Sequence, residues 1–364
     1  MDYHTLWNDS LPWNLSSNET ECKINEDFQR TFYAAAYSLI FVLGVVTNSI
    51  ALAVFCCCLD RHTETTIYMF NLILSDLFFI ATLPLRTTYY VRGTWDFGAV
   101  VCKLSGALFL VNMYGSIMFL TCIAADRFLA IVHPFRSRTL RTPCTARFVC
   151  FVVWCIVLLG ASPSFFVKTS SSEKGNKTTC FENFSKDIWK GVLSSIVIFI
   201  EVVGFLIPFI IMVYCSCAIL KTMSKPSRLQ RCPFDRKRIH RMITVTLIIF
   251  VTCFLPHHIL LVFYTLVRRD NIQGCRALQL VKMAYPITLC LASANCCLDP
   301  IIYYFTTDAF RRSLRRGVDR GSSFLLSETF RVAESIKGNS REHENGRASL
   351  SHTVMSDSDQ LNRT

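Results

Sequence analysis

Seven stretches of this chain carry almost no ionisable side chain, and that pattern leaves few folds open. From Phe32 to Cys58 and from Leu104 to Ala125 there is no Asp, Glu, Lys or Arg, and Phe148 to Val167 and Met242 to Val267 are likewise uncharged. Met69 to Leu85 holds only Asp76, Val192 to Leu220 only Glu201, and Met283 to Thr307 only Asp299. Each stretch reaches the roughly 17 to 25 residues a helix needs to cross about 30 Å of hydrocarbon. Lipid offers no partner to a backbone N–H or C=O, so blocks of this length read as helices. Core helices of a large soluble protein would need polar stripes, which these blocks lack. With 52% hydrophobic and 18% charged residues over 364, the expectation is an all-α membrane protein, a seven-transmembrane helix bundle.

The connecting segments set an orientation. Arg136 to Arg147 carries Arg136, Arg138, Arg141 and Arg147 without an acid, and Lys221 to Arg241 carries eight basic residues against Asp235. Arg311, Arg312, Arg315 and Arg316 follow the last block, whereas the first thirty residues hold six acids against Lys23 and Arg30. Basic segments stay in the cytoplasm, so the amino terminus is expected outside and the carboxyl terminus inside. The net charge of +12 reflects these inner segments and calls for no nucleic-acid partner.

Four regions follow: an extracellular terminus over 1–30, the bundle over 31–306, a short amphipathic eighth helix over 307–317, and a cytoplasmic tail over 318–364. No removable leader is expected, the first helix serving as signal anchor. Asn8, Asn14, Asn18, Asn176 and Asn183 open glycosylation sequons on the outer side. Thr307 to Arg316 alternates Phe310 and Leu314 with arginines, as a helix lying on anionic lipid would. No cysteine follows Cys297, so the tail offers no acylation site, and its Ser- and Asn-rich composition predicts disorder. Ser349, Ser351, Ser356 and Ser358 are candidate kinase targets for recruiting arrestin.

Of eighteen cysteines, fourteen fall in the helices or on the inner side, where thiols stay reduced. Cys22, Cys102, Cys180 and Cys275 face the oxidising side and allow three pairings, among which spacing does not choose. None lies at the close spacing of a zinc site. Asn48, Asp76, Asn112, Ser116, Asn295 and Asp299 sit inside apolar blocks. If they converge they can hold a sodium ion, with Asp76 as a ligand, or form a hydrogen-bonded knot that fixes helix packing, and the two do not exclude each other. Pro208, Pro256 and Pro300 lie within the fifth to seventh helices and predict kinks, and Pro84 adds one near the outer end of the second.

These residues carry a resemblance. Asn48, L-I-L-S-D around Asp76, Cys102, D-R-F at Asp126 to Phe128, Trp154, Pro208, C-F-L-P ending at Pro256, and D-P-I-I-Y from Asp299 to Tyr303 resemble, helix by helix, the rhodopsin-like (class A) G-protein-coupled receptors. Within that class, F-R-S-R-T-L-R-T, C-F-E-N-F-S, I-F-I-E-V-V-G-F-L-I-P, Y-P-I-T-L-C-L-A and N-C-C-L-D-P-I-I-Y-Y-F look like the lysophosphatidic acid receptors of the purinergic-receptor-like branch. The resemblance runs from about Cys22 to Phe310. It implies disulfides Cys102–Cys180 and Cys22–Cys275. It also implies coupling through Asp126, Arg127, Phe254, Pro256, Asp299, Pro300 and Tyr303 to heterotrimeric G proteins of the Rho-activating class, with arrestin and receptor kinases as further partners. Cys102 and Arg127 are 25 residues apart, roughly 37 Å of helix at about 1.5 Å per residue, so one helix reaches from the outer loop to the G-protein face.

Charge alone also points to an anionic ligand. Arg86, Arg268, Arg269 and Lys282 oppose the positive-inside tendency, and guanidinium groups suit bidentate contact with phosphate. Arg86, Arg268 and Lys282 match basic positions of the resembled branch and are expected to bind ligand, while Arg269 is expected to snorkel to headgroups. Tyr89, Tyr90, Tyr114 and Tyr285 are expected to line the pocket. A lysophospholipid would place its acyl chain along the apolar faces of helices three to five; a nucleotide would share the phosphate cluster. An ion-coupled transporter using Asp76, Glu201 and Asp299 is the reading from another class, but the halves show no inverted repeat. His257 and His258 form no recognisable nucleophile–base set, so no enzyme is expected; they predict a polar, pH-sensitive pocket floor. Phe254 replaces a common Trp, and Arg236 stands near where some receptors carry an acid. Arg127 is therefore expected to have the adjacent Asp126 as its main restraint.

Overall fold

The computed structural model describes residues 26–57, 63–166, 178–180, 193–224, 233–269, 275–306 and 311. Among the described residues seven helical spans are long and apolar enough to cross a membrane: Asp27–Cys57, Glu64–Arg92, Gly98–Val132, Pro143–Phe166, Ser194–Ser224, Ile239–Arg268 and Leu278–Ile302. Each overlaps most of one apolar block, and in most the helix runs a turn or more past one end of the block into polar residues. The sequons, Cys22, the eighth helix apart from Arg311, and the tail lie outside the described residues, as do the side chains of Cys275 and Tyr303.

Local chemistry sets several ends. Thr63 caps the second span, its Oγ1 accepting from the Thr66 amide at 3.4 Å, and Thr142 caps the fourth, accepting from the Thr145 amide at 3.1 Å, with Pro143 in the first turn. Gly93 ends the second span at φ 72°, a left-handed conformation cheap for glycine alone.

The third span forms the axis of the bundle, packing against the second, fourth, fifth and sixth. Its Ile117, Phe119 and Leu120 are fully buried with Met69, Leu72 and Ile73 of the second span and Phe250 and Phe254 of the sixth. The proline expectations resolve differently by site. In the fifth span the chain widens into a π-helical turn over Glu201–Leu206 just before Pro208. A proline ring would collide with the carbonyl four residues back, and the extra residue in the turn relieves that crowding. Pro256 lies within a continuous helix over Pro233–Arg268. The seventh span is interrupted at Ala294, between helices Cys275–Ser293 and Asn295–Thr306, and the second at Ala81–Thr82, just before Pro84.

Candidate ligand site and the network beneath it

At one end of the bundle Cys102 is bonded to Cys180. The same loop is held where Trp95 donates its amide to the Thr178 carbonyl at 2.8 Å. Cys102 is packed with Tyr89 and Trp95, so Tyr89 buttresses the disulfide. Tyr90 stacks on Tyr33 at 4.4 Å and lines a hollow of about 580 Å³ beside Asp27 and Arg30.

Arg86 turns into the bundle. Its Nη2 donates to the Ser105 carbonyl at 2.9 Å and its guanidinium lies 5.3 Å from the centre of the Phe109 ring. Among the described residues its buried Nε has no protein acceptor, and the buried Thr87 hydroxyl has no partner. Unspent donors of this kind are costly unless something occupies them. Arg268 donates through Nε to the Tyr264 hydroxyl at 3.1 Å. From Tyr264 a line of rings descends: Tyr285 at 5.3 Å, His257 at 5.6 Å from Tyr285, then His258 at 5.5 Å. Lys282 is half-buried, and its carbonyl accepts from Gln29 Nε2 at 2.9 Å.

The histidines do form a buried polar floor, each 1% exposed. His258 Nδ1 lies 2.9 Å from Glu201 Oε1 and 3.1 Å from Oε2. The sequence marks Glu201 only as an isolated acid; the π-helical turn that brings it onto this face leaves no signal in the pattern of apolar residues. Phe205 stacks on His258 at 3.9 Å, and the stack continues through Phe209 and Phe250 to Phe254, which meets Phe250 edge-on at 5.3 Å. Packed rings thus join the pocket floor to the Phe254–Pro256 region.

Beside this floor is an apolar cleft of about 960 Å³ between the third, fourth and fifth spans, lined by Tyr114, Met118, Val157, Gly160, Phe199 and Val203 among others. Tyr114 stands between cleft and floor, 5.8 Å from His258. Gly204 makes room for it: a Cβ there would meet Tyr114 Cδ1 at 2.7 Å and Cε1 at 2.9 Å. We expect Gly204→Ala to push the ring aside and weaken agonist potency about tenfold, as crowding worth roughly 1 to 3 kcal/mol would. Tyr114→Leu in the same chain should recover part of the loss. Dose–response curves of the single and double variants check this, and additive losses would sink it.

Lower in the bundle the embedded polar residues converge. Asn112 Nδ2 donates to Asp76 Oδ1 at 2.8 Å, Asn295 Nδ2 to Asp299 Oδ2 at 2.8 Å, and Asn48 Nδ2 to the Cys296 carbonyl at 2.8 Å. Asp76 and Asp299 face each other, and among the described residues Asp76 Oδ2, Asp299 Oδ1, Ser116 Oγ, Asn48 Oδ1 and Asn295 Oδ1 accept no hydrogen bond from a protein donor. Two fully buried carboxylates with unspent oxygens in one network suit a hard cation, which takes oxygen ligands, or bridging water.

At the far end, Asp126 is 5% exposed and gripped from three sides. Arg141 donates through Nε to Oδ1 at 2.6 Å and through Nη2 to Oδ2 at 3.2 Å, and the Thr65 hydroxyl donates to Oδ2 at 2.7 Å. Arg127 Nη2 is 3.5 Å from Oδ2 and also meets Thr65, while Arg141 reaches Glu64 at 3.3 Å. Asp126 is the acid beside Arg127, as expected, but Asp126 itself is held more tightly by Arg141. Consecutive helical residues point about 100° apart, so Asp126 faces the second span and Arg141 more squarely than it faces Arg127.

A seven-span bundle with a bonded outer loop, a pocket above a buried polar network and an Asp-Arg pair at the opposite end defines a membrane receptor. The model described as "7 transmembrane receptor (rhodopsin family)" matches residues 47–303, and the chain belongs to that family. It is 47% identical to lysophosphatidic acid receptor 6 of Homo sapiens over 89% of this chain and 95% of that protein. Lysophosphatidic acid receptor 4 of Mus musculus is 48% identical over 82% and 80% of the two chains. A purinoceptor of Mus musculus, 34% identical over 84% of each chain, places the protein in the purinergic-receptor-like branch.

Proposed function

We propose that this chain is a plasma-membrane receptor for a lysophospholipid, lysophosphatidic acid first among them. In this reading the disulfide end is extracellular and the Asp126–Arg127 end faces heterotrimeric G proteins, the Rho-activating class in particular. One observation carries it: an inward-turned guanidinium with an unspent donor shares the bundle with an apolar cleft on the third to fifth spans. Phosphate suits the fork of Arg86, with Arg268 and Lys282 nearer the mouth, and the acyl chain suits the cleft. Tyr114 stands where headgroup and chain would meet. The relatives named for lysophosphatidic acid share most of their length with this chain. Cells expressing it with separate G-protein reporters should respond to lysophosphatidate, most strongly through the Rho-activating reporter; a response to nucleotides alone would sink the reading. Phosphorylation of tail serines and capture of arrestin belong to the same proposal and would be read by arrestin recruitment.

The unspent oxygens around Asp76 and Asp299 are proposed to hold sodium, whose positive charge would relieve two facing carboxylates. Asp76→Asn is then expected to abolish any effect of sodium on agonist affinity. A variant as sodium-sensitive as wild type would leave the network a packing knot.

A further inference from the structure

We propose that Cys56 and Cys57 form a site of S-acylation that anchors the first span at the inner leaflet. The proposal rests on the orientation given above, with the Asp126 end in the cytoplasm. Both thiols are exposed, on the last two residues of the helix Glu26–Cys57. That end is on the Asp126 side, because the chain resumes at Thr63 and the nearby Thr65 hydroxyl bonds Asp126. Cys57 also continues a stripe of exposed residues at helical spacing, Leu39, Val42, Val46, Ile50 and Ala53, which faces lipid in a spanning helix.

The direction of the side chains favours these thiols over others nearby. A Cα–Cβ bond leans toward the amino end of its helix, so at the carboxyl end of the first span the thiols lean back over Ala53 and Ile50, into the hydrocarbon. A chain attached there would lie along an existing apolar stripe. Cys144 is exposed too, but it is the second residue of the helix Pro143–Ala161. Its bond leans toward that helix's amino end, away from the hydrocarbon. Ile302 of the seventh span shares a cluster with Val54 and Phe55. The anchor would therefore sit beside the point where the chain leaves the bundle for a tail with no cysteine of its own.

The reaction needs a long-chain acyl-coenzyme A thioester as co-reactant. The cysteine sulfur attacks the thioester carbonyl, a new S–acyl bond forms, the bond to the coenzyme sulfur breaks, and the proton lost by the cysteine ends on the released coenzyme thiol. Nothing is oxidised or reduced. The product is a thioester that neutral hydroxylamine cleaves.

Full-length receptor in cells, with free thiols blocked, hydroxylamine-treated and then tagged with a maleimide polymer, gives one mass step per acyl group. Wild type should show a hydroxylamine-dependent step, Cys56→Ser/Cys57→Ser should lose it, and Cys155→Ser should keep it. Absence of the step in wild type, its persistence in the double variant, or its loss only in Cys144→Ser would each overturn the proposal. Surface labelling confirms that the double variant folds, and replacing exposed thiols disturbs no packing. A membrane-impermeant maleimide on intact cells separates the two premises: labelling of Cys56 or Cys57 would refute the orientation, whereas protection together with no acyl step would refute acylation alone.

Discussion

Receptors carrying Arg127→Ala are expected to reach the cell surface, bind ligand with unchanged affinity and lose nearly all G-protein signalling. Arg127 lies 13 residues beyond Tyr114 on the third span, about 20 Å of helix at 1.5 Å per residue, too far to touch a ligand seated at the pocket floor. Its side chain is 25% exposed at the end opposite the disulfide, so the bundle core does not depend on it. Asp126 keeps Arg141 and Thr65 when Arg127 is removed, which spares the fold an unpaired buried charge. What disappears is the cation offered to the partner at that face. Ligand binding measured beside reporter output on the same cells checks this, and a variant that signals fully would refute the role.

The second large effect concerns the ion cluster around Asp126. Arg141 competes with Arg127 for one carboxylate, 2.6 Å against 3.5 Å. Arg141→Gln should hand Asp126 to Arg127, tighten that restraint and lower both ligand-free and maximal signalling. Asp126→Asn removes the acid from both arginines and should raise ligand-free signalling. The double variant should behave as Asp126→Asn alone, because Arg141 acts through that acid. A buried charged hydrogen bond is worth roughly 1.5 to 3 kcal/mol, so shifts of about tenfold in the resting equilibrium are in range. Reduced signalling in the double variant equal to that of Arg141→Gln would show that Arg141 acts by another route. A reading of the D-R-F motif by itself overlooks this loop arginine, which holds Asp126 more closely than Arg127 does.

The legible part of the molecule was what repeats along the chain. Uncharged blocks mark all seven spans, and the polar residues inside them mark where partners are needed, but the pairings Asp76–Asn112 and Asn295–Asp299 come from the structure. Clusters that depend on helix rotation were hidden. Glu201 meets His258 at the start of a π-helical turn in the fifth span, and although Pro208 marks a distortion there, it does not say which face the acid will take. In the sequence Arg141 is one of several loop cations, since a count of basic residues fixes orientation without saying which cation turns inward. Tyr89 illustrates a different limit: an aromatic residue at a helix end can line a pocket or support a disulfide, and the type of residue does not foretell its packing against Trp95 and Cys102.

In the proposed function one guanidinium, that of Arg86, and one apolar cleft serve the same ligand. The most direct test is equilibrium binding of labelled lysophosphatidate to purified receptor, wild type and Arg86→Ala, with unlabelled lysophosphatidate and a nucleotide as competitors. The account predicts saturable binding displaced by lysophosphatidate and not by nucleotide, weakened at least about tenfold by Arg86→Ala, since a charged hydrogen bond contributes roughly 1.5 to 3 kcal/mol. Displacement by the nucleotide alone, or full affinity in the Arg86→Ala receptor, would contradict it.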